Sequence, residues 1–192
     1  MVNFAPQRYP IVQKLRNDEL GRPSLNDYKE QEKLPFVLVL DNVRSALNVG
    51  SIFRTADAFA ANAIYLCGIT AIPPNKDILK TALGATESVV WKYFETTQLA
   101  LDSLKNNDYC LVAIEQVTTS ILLQDFQLND RPIALILGHE MDGVDQDIIN
   151  LCDHCIEIPQ QGIKHSINVA VCAGIICWEF YQKYEKRRIA NG

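Results

Sequence analysis

The chain is predicted to be an α/β protein, a mostly parallel sheet with helices on both faces. Three observations carry that prediction. From Pro35 onward, continuous apolar runs recur in the manner of strands buried on both sides. Helical periods fall between most of them. No internal repeat or low-complexity tract interrupts the pattern, and 192 residues with 48% hydrophobic content suffice for one well-filled core.

Residues 1–34 are polar and carry Pro6, Pro10, Gly21 and Pro23, so they read as an N-terminal extension with one short helix. The regular domain is 35–192. Its first strand is expected over 36–40 and its first helix over 48–60, opened by Asn48, a preferred N-cap type. A strand over 63–67 and a short helix over 77–83 follow. Next come a strand over 89–93 and a helix over 97–105. Three more strands are expected over 109–114, 133–137 and 155–158, with a helix over 145–151 between the last two. A long helix over 168–184 closes the domain. Its small and apolar positions Val169, Ala170, Ala173, Gly174 and Ile176, with Trp178, offer a surface for close helix approach.

Charge and cysteines narrow the function classes. A net charge of −5 counts against a protein that coats nucleic acid by bulk electrostatics. Any such contact must use local groups, of which two stand out: Arg8, Lys14, Arg16 and Arg22, then Lys183, Lys186, Arg187 and Arg188. Most cysteines sit in apolar runs, as buried free thiols do. Cys152 and Cys155 have CxxC spacing, but neither a second CxxC nor a spaced His pair completes a ligand set, so no metal is expected. No apolar run reaches bilayer length and the start lacks a secretion pattern, so no membrane partner and a cytoplasmic location are expected. Dinucleotide and P-loop chemistry are disfavoured, because the first strand–helix turn has neither GxGxxG nor GxxxxGK.

Polar residues concentrate in three loops that each follow a strand. The first holds Asn48, Gly50 and Arg54, the second Gly138, Glu140 and Gly143, the third Ile158, Gly162, Ser166 and Asn168. Gly50 leaves room for close backbone packing or for a ligand. Asp57, at i+3, offers Arg54 an ordinary ion pair. Glu140 could orient Asn48 or Arg54. Ser166 and Asn168 are both N-cap types before the last helix, and only one can cap it.

Asn48 and Arg54 with Thr55-Ala56, the turn Gly138-x-Glu140-x-x-Gly143, and Ile158-Pro159-x-x-Gly162-x-x-x-Ser166-x-Asn168-Val169 resemble the three signature motifs of the SpoU (TrmH-type) branch of the SPOUT RNA methyltransferases. Leu83-Gly84-Ala85 is also similar to that family. Two departures stand out. Ala60 replaces a usual glycine, a conservative change, and Lys164-His165-Ser166-Ile167 replaces an acidic-Ser-Leu run. The resemblance implies a C-terminal trefoil knot, a homodimer whose sites are completed by the neighbouring subunit, and methyl transfer from S-adenosylmethionine to a ribose 2′-hydroxyl, in tRNA before rRNA. It also implies cofactor contacts, mostly through the backbone, at Glu115, Gly138, Ile158 and Ile167. Arg54 would carry catalysis, supported by Asn48, Glu140, Ser166 and Asn168. Arginine is effectively always protonated, so a phosphate contact and stabilisation of alkoxide charge suit it better than a base role. A catalytically silent RNA-binding relative and an α/β enzyme for an acidic small molecule are the alternatives.

Overall fold

The computed structural model describes residues 13–191, which divide into two compact units with the boundary between Gln31 and Glu32. Arg8 of the first basic group lies outside the described residues. In the first unit a 3-10 turn over Asn17–Leu20 precedes α1 (Leu25–Glu30). The Ser24 hydroxyl caps α1, accepting from the Asp27 amide at 3.2 Å and donating to the Asp27 carboxylate at 2.7 Å. Lys14, Arg16 and Arg22 are exposed.

The second unit is built on seven strands, all parallel: β1 (Leu34–Asp41), β2 (Ala61–Cys67), β3 (Trp91–Phe94), β4 (Cys110–Ile114), β5 (Ile121–Leu122), β6 (Ile133–Leu137) and β7 (His154–Glu157). Their spatial order is β3-β2-β1-β6-β4-β7-β5. The helices are α2 (Ala46–Ala58), α3 (Lys76–Ala82), α4 (Ala85–Ser88), α5 (Thr97–Lys105), α6 (Gln146–Ile149) and α7 (Val169–Asn191). The chain runs outward from β1 through β2 to β3, then crosses to the other side of the sheet. That reversal leaves β1, β6, β4 and β7 as consecutive neighbours. The loops after all four therefore emerge at one edge, where open α/β sheets form ligand sites.

Side chains alternate across the strands. Phe36, Leu38 and Leu40 of β1 join Ile52 and Phe53 of α2 and Ile176 and Phe180 of α7 on one face. Val37 and Val39 join Leu101 and Leu104 of α5 and Ile148 of α6 on the other. Each such side chain contributes about 1.5–3 kcal/mol when fully buried, so these two layers dominate the stability. Gly50 marks the crossing of α2 and α3. A Cβ there would lie 2.1 Å from Thr81 Oγ1 and 2.3 Å from the Ile78 carbonyl oxygen, so helix packing explains this glycine.

Several sequence expectations need correction. α2 begins at Ala46, with Ser45 as its cap: the Ser45 hydroxyl accepts from the Asn48 amide at 3.3 Å, which frees the Asn48 side chain. Ala60 adopts φ +49°, a left-handed conformation costing an L-residue about 1–2 kcal/mol, so its replacement of glycine is not neutral. In α7, Val169, Ala173 and Ile176 pack into the domain's own core. Gly174 and Trp178 of the expected surface do face outward, joined there by Val171 and Ile175 in a stripe at i, i+3, i+4 and i+7. Among the described residues, no helix is long and apolar enough to cross a membrane.

Candidate active site

The loop after β1, the turn after β6 and the α7 N-terminus are joined by one hydrogen-bond relay. Glu140 lies at its head. Its carboxylate accepts from the Arg44 and Ser45 amides at 3.1 Å each and from Asn48 Nδ2 at 3.1 Å. Asn48 Oδ1 in turn accepts from Asn168 Nδ2 at 3.3 Å. Asn168 Oδ1 accepts from the Ala170 and Val171 amides at 2.9 and 3.3 Å, which caps α7. The relay has a fixed direction. An ionised carboxylate only accepts and helix-start amides only donate, so both asparagines can point one way only. Partial burial pushes the Glu140 carboxyl upward, but its own amide, the Ser45 amide, the Asn48 side chain and the Arg44 amide together hold it below the ordinary carboxylate range.

The turn after β6 is closed by its backbone. His139 and Gly143 exchange hydrogen bonds, amide to carbonyl in both directions, at 2.9 Å. Gly138 sits beneath this bridge, where a Cβ would meet the Gly143 carbonyl carbon at 2.1 Å and the Val144 amide nitrogen at 2.2 Å. Glu115, at the end of β4, accepts from the Val144 amide through Oε2 at 3.0 Å and from the Gln116 amide through Oε1 at 2.9 Å. Its side chain thus holds the turn, a role beyond the backbone contact expected of it. Gln116 Nε2 donates to the His165 carbonyl at 3.2 Å, tying the β4 end to the last loop.

These elements enclose a cleft of about 400 Å³. Glu115, Gly138, Glu140, Ile158, Ser166, Ile167 and Asn168 all line it, so every cofactor position expected from sequence meets there. Ser166 leaves the capping to Asn168 and is exposed at the cleft. Arg54 is elsewhere. Six helical residues separate it from Asn48, about 240° around the axis, which turns it away from the relay. It is exposed and faces a second cavity with Ser51, Thr55, Lys80, Thr81 and Gly174. Asp57, the partner offered to it by sequence, instead accepts from the Ser88 hydroxyl. Sequence reasoning missed Ser45 and the Glu115 side chain. Only Ser45 had a signal, as a second N-cap type three residues before Asn48.

The thiols are poised against nucleophilic chemistry. Burial first, then the neighbouring Cys155 and Asp153 charges, pushes the Cys152 thiol up to about 12. Cys172, which lines the cleft, is pushed up to about 12 by burial and then by Glu115. Such thiols stay protonated near neutral pH, whereas the thiolate is the nucleophile. Among the described residues, no group of three or more His, Cys, Asp or Glu side chains could hold a metal ion.

A parallel sheet that gathers three polar loops over one cleft at its strand ends is an α/β protein built around a small-molecule site. The chain belongs to the SpoU rRNA Methylase family, which matches residues 35–178. Its fold is similar to the TrmH/SpoU tRNA modifying enzyme of A. aeolicus, with a TM-score of 0.76, 26% identity, and coverage of 85% of this chain and 82% of that one. It is also similar to an rRNA methyltransferase of Sinorhizobium meliloti with AdoMet bound, with a TM-score of 0.73, 26% identity, and coverage of 85% and 62%. YacO of Bacillus subtilis, assigned to the TrmH family of tRNA/rRNA methyltransferases, is 31% identical over 157 residues, 81% of this chain and 61% of its own. The chain spans less than two thirds of the length of the curated relatives it matches.

Proposed function

We propose that the chain transfers a methyl group from S-adenosylmethionine to a ribose 2′-hydroxyl of RNA, with tRNA the favoured substrate, and that it works as a homodimer. The observation that carries this reading is the convergence of Glu115, Gly138, Ile158 and Ile167 on one cleft. The cleft suits the cofactor. Its volume falls within the roughly 300–1,000 Å³ of small-ligand sites. Ile114, Leu137 and Ile156 provide apolar walls, and the Glu115 and Glu140 carboxylates favour a cationic ligand. When bound, S-adenosylmethionine supplies an electrophilic methyl on its sulfonium. The chain's own residues do the rest: the Glu140–Asn48–Asn168 relay fixes the loops, and Arg54 holds the nucleotide and stabilises the charge that develops on the ribose oxygen.

Tritiated S-adenosylmethionine incubated with the protein and bulk tRNA or rRNA tests the reading. Alkali cleaves RNA through the free 2′-hydroxyl, so a methylated ribose protects its neighbouring linkage. Label should therefore appear in alkali-resistant dinucleotides, more in tRNA than in rRNA. Label in mononucleotides, or none in RNA, would overturn the assignment.

Arg54 and the cleft face different cavities of one chain, which is the reason to invoke a second copy. The Val171–Trp178 stripe of α7 supplies the surface for it, exposed by 54% at Val171 and 52% at Trp178. A Cβ at Gly174 would meet nothing within 4 Å in its own chain. Gly174→Arg should thus leave the fold intact while converting dimer to monomer in light scattering and removing methylation. A wild-type monomer at micromolar concentration would refute the dimer.

Residues 1–34 are assigned as an RNA-contacting extension and 35–192 as the methyl-transfer domain, the exposed Lys14, Arg16 and Arg22 supporting the first. The C-terminal basic group supports RNA contact less well. Lys183 pairs with Glu179, Arg187 with Asp130 and Arg188 with Glu185. The knotted threading of the C-terminal part belongs to the same reading.

A further inference from the structure

The second cavity holds two cations without an acidic partner. Its wall combines Arg54 of α2 and Lys80 of α3 with Ser51, Thr55 and Thr81. Among the described residues, neither Arg54 nor Lys80 joins an ion pair, and both face the same cavity. In a chain of net charge −5, two cations facing one cavity make a local positive site. The hydroxyls do not dilute it. Ser51 Oγ donates to the Leu47 carbonyl at 2.9 Å, Thr55 Oγ1 to the Ser51 carbonyl at 3.1 Å, and Thr81 Oγ1 to the Leu47 carbonyl at 2.9 Å. Their protons are already engaged, so the side-chain donors left on this wall are the guanidinium and the ammonium. Such a wall complements an anion.

We propose that Lys80 and Arg54 form a two-point clamp for one phosphodiester of the RNA substrate, with Lys80 as a binding residue for the RNA backbone. The inference rests on the methyl-transfer reading above and adds a residue to it. α3 is fixed against α2 by the glycine crossing at Gly50, so the Lys80 and Arg54 stems leave two helices locked in register. Arg54 has the planar fork that grips two oxygens, and Lys80 adds a point charge. Lys80 can then anchor the phosphate while the Arg54 fork spans that phosphate and the adjoining ribose oxygen.

The test uses full-length wild-type, Lys80→Gln and Lys80→Arg proteins in steady-state methylation of tRNA across a salt series. Adenosylhomocysteine affinity is measured beside it. The clamp predicts that Lys80→Gln raises KM for RNA about tenfold, as loss of one charge-assisted contact does, with kcat much less affected. It also predicts that the slope of log affinity against log salt becomes shallower by roughly 0.7–0.9, one phosphate contact's share. Lys80→Arg should restore both, which a purely packing role would not produce. An unchanged KM and salt slope in Lys80→Gln would overturn the clamp. So would a loss confined to adenosylhomocysteine affinity, which would assign the cavity's anion to the cofactor's carboxylate. Absence of RNA methylation by the wild-type protein would instead overturn the functional reading beneath it, so the two failures are distinguishable.

Discussion

Gly138→Ala is expected to lower adenosylhomocysteine affinity at least about a hundredfold and to destabilise the domain by roughly 1–3 kcal/mol, the range for forced overpacking. The cause is steric rather than conformational, since Gly138 is not among the residues with positive φ. Its added Cβ would lie 2.1 Å from the Gly143 carbonyl carbon, 2.2 Å from the Val144 nitrogen and 2.3 Å from the Gly143 oxygen. All three are backbone atoms, so no rotamer change relieves the clash. The turn must open, and opening it breaks the His139–Gly143 exchange and moves the Val144 amide off Glu115. Two comparison variants make the result specific. At Gly143 the intruding Cβ would meet the Glu115 carboxylate, a side chain rather than backbone, so Gly143→Ala should lower affinity less than Gly138→Ala, while its φ of +71° adds a separate cost to stability. At Gly162 nothing lies within 4 Å and Gly162→Ala should be silent in the fold. Calorimetry with adenosylhomocysteine and thermal melting of the three variants give the order. Near-normal affinity in Gly138→Ala would show that the turn does not form the cofactor wall.

The sequence was most legible where burial is complete. β1 and β6 are covered on both faces, and only continuous apolar runs satisfy such positions, so both strands were found within a few residues. β5 escaped because two residues at a sheet edge leave no period. The start of α2 was placed late because Ser45 and Asn48 are both cap types. Which of them caps is decided by Glu140, 92 residues beyond Asn48, which takes the Asn48 side chain. That meeting follows from β6 inserting beside β1, a neighbourhood that chain order does not contain. The same limit misled the reading of the C-terminal cations. Lys183 donates to the Gln124 carbonyl and Arg187 pairs with Asp130, both brought in from 57–59 residues away. The separation of Arg54 from Asn48, by contrast, was computable from helical geometry alone, yet the motif groups them as one.

Arg54→Ala should leave thermal stability within about 0.5 kcal/mol of wild type, the usual range for surface substitutions. The guanidinium is exposed, and α2 is anchored by Val49, Ile52, Phe53 and Ala56, all fully buried. Cofactor affinity should also hold, because Arg54 does not line the cleft. Methylation should nevertheless fall at least roughly a hundredfold, as happens when a principal contact to developing charge is removed. Arg54→Lys separates two accounts of that loss. If the planar fork must grip phosphate and ribose oxygen together, lysine fails almost as badly as alanine, whereas recovery of much of the rate would mean that charge alone matters. Mixing then asks from which chain the arginine acts. Random pairing of Arg54→Ala with Gly138→Ala subunits makes about half the molecules mixed dimers. If Arg54 serves the partner's cleft, each mixed dimer keeps one intact site of two, and the mixture should recover about a quarter of wild-type activity. If Arg54 serves its own cleft, no chain in the mixture has both parts and activity stays at the level of the single variants. Near-wild-type turnover by Arg54→Ala alone would remove the residue from the mechanism.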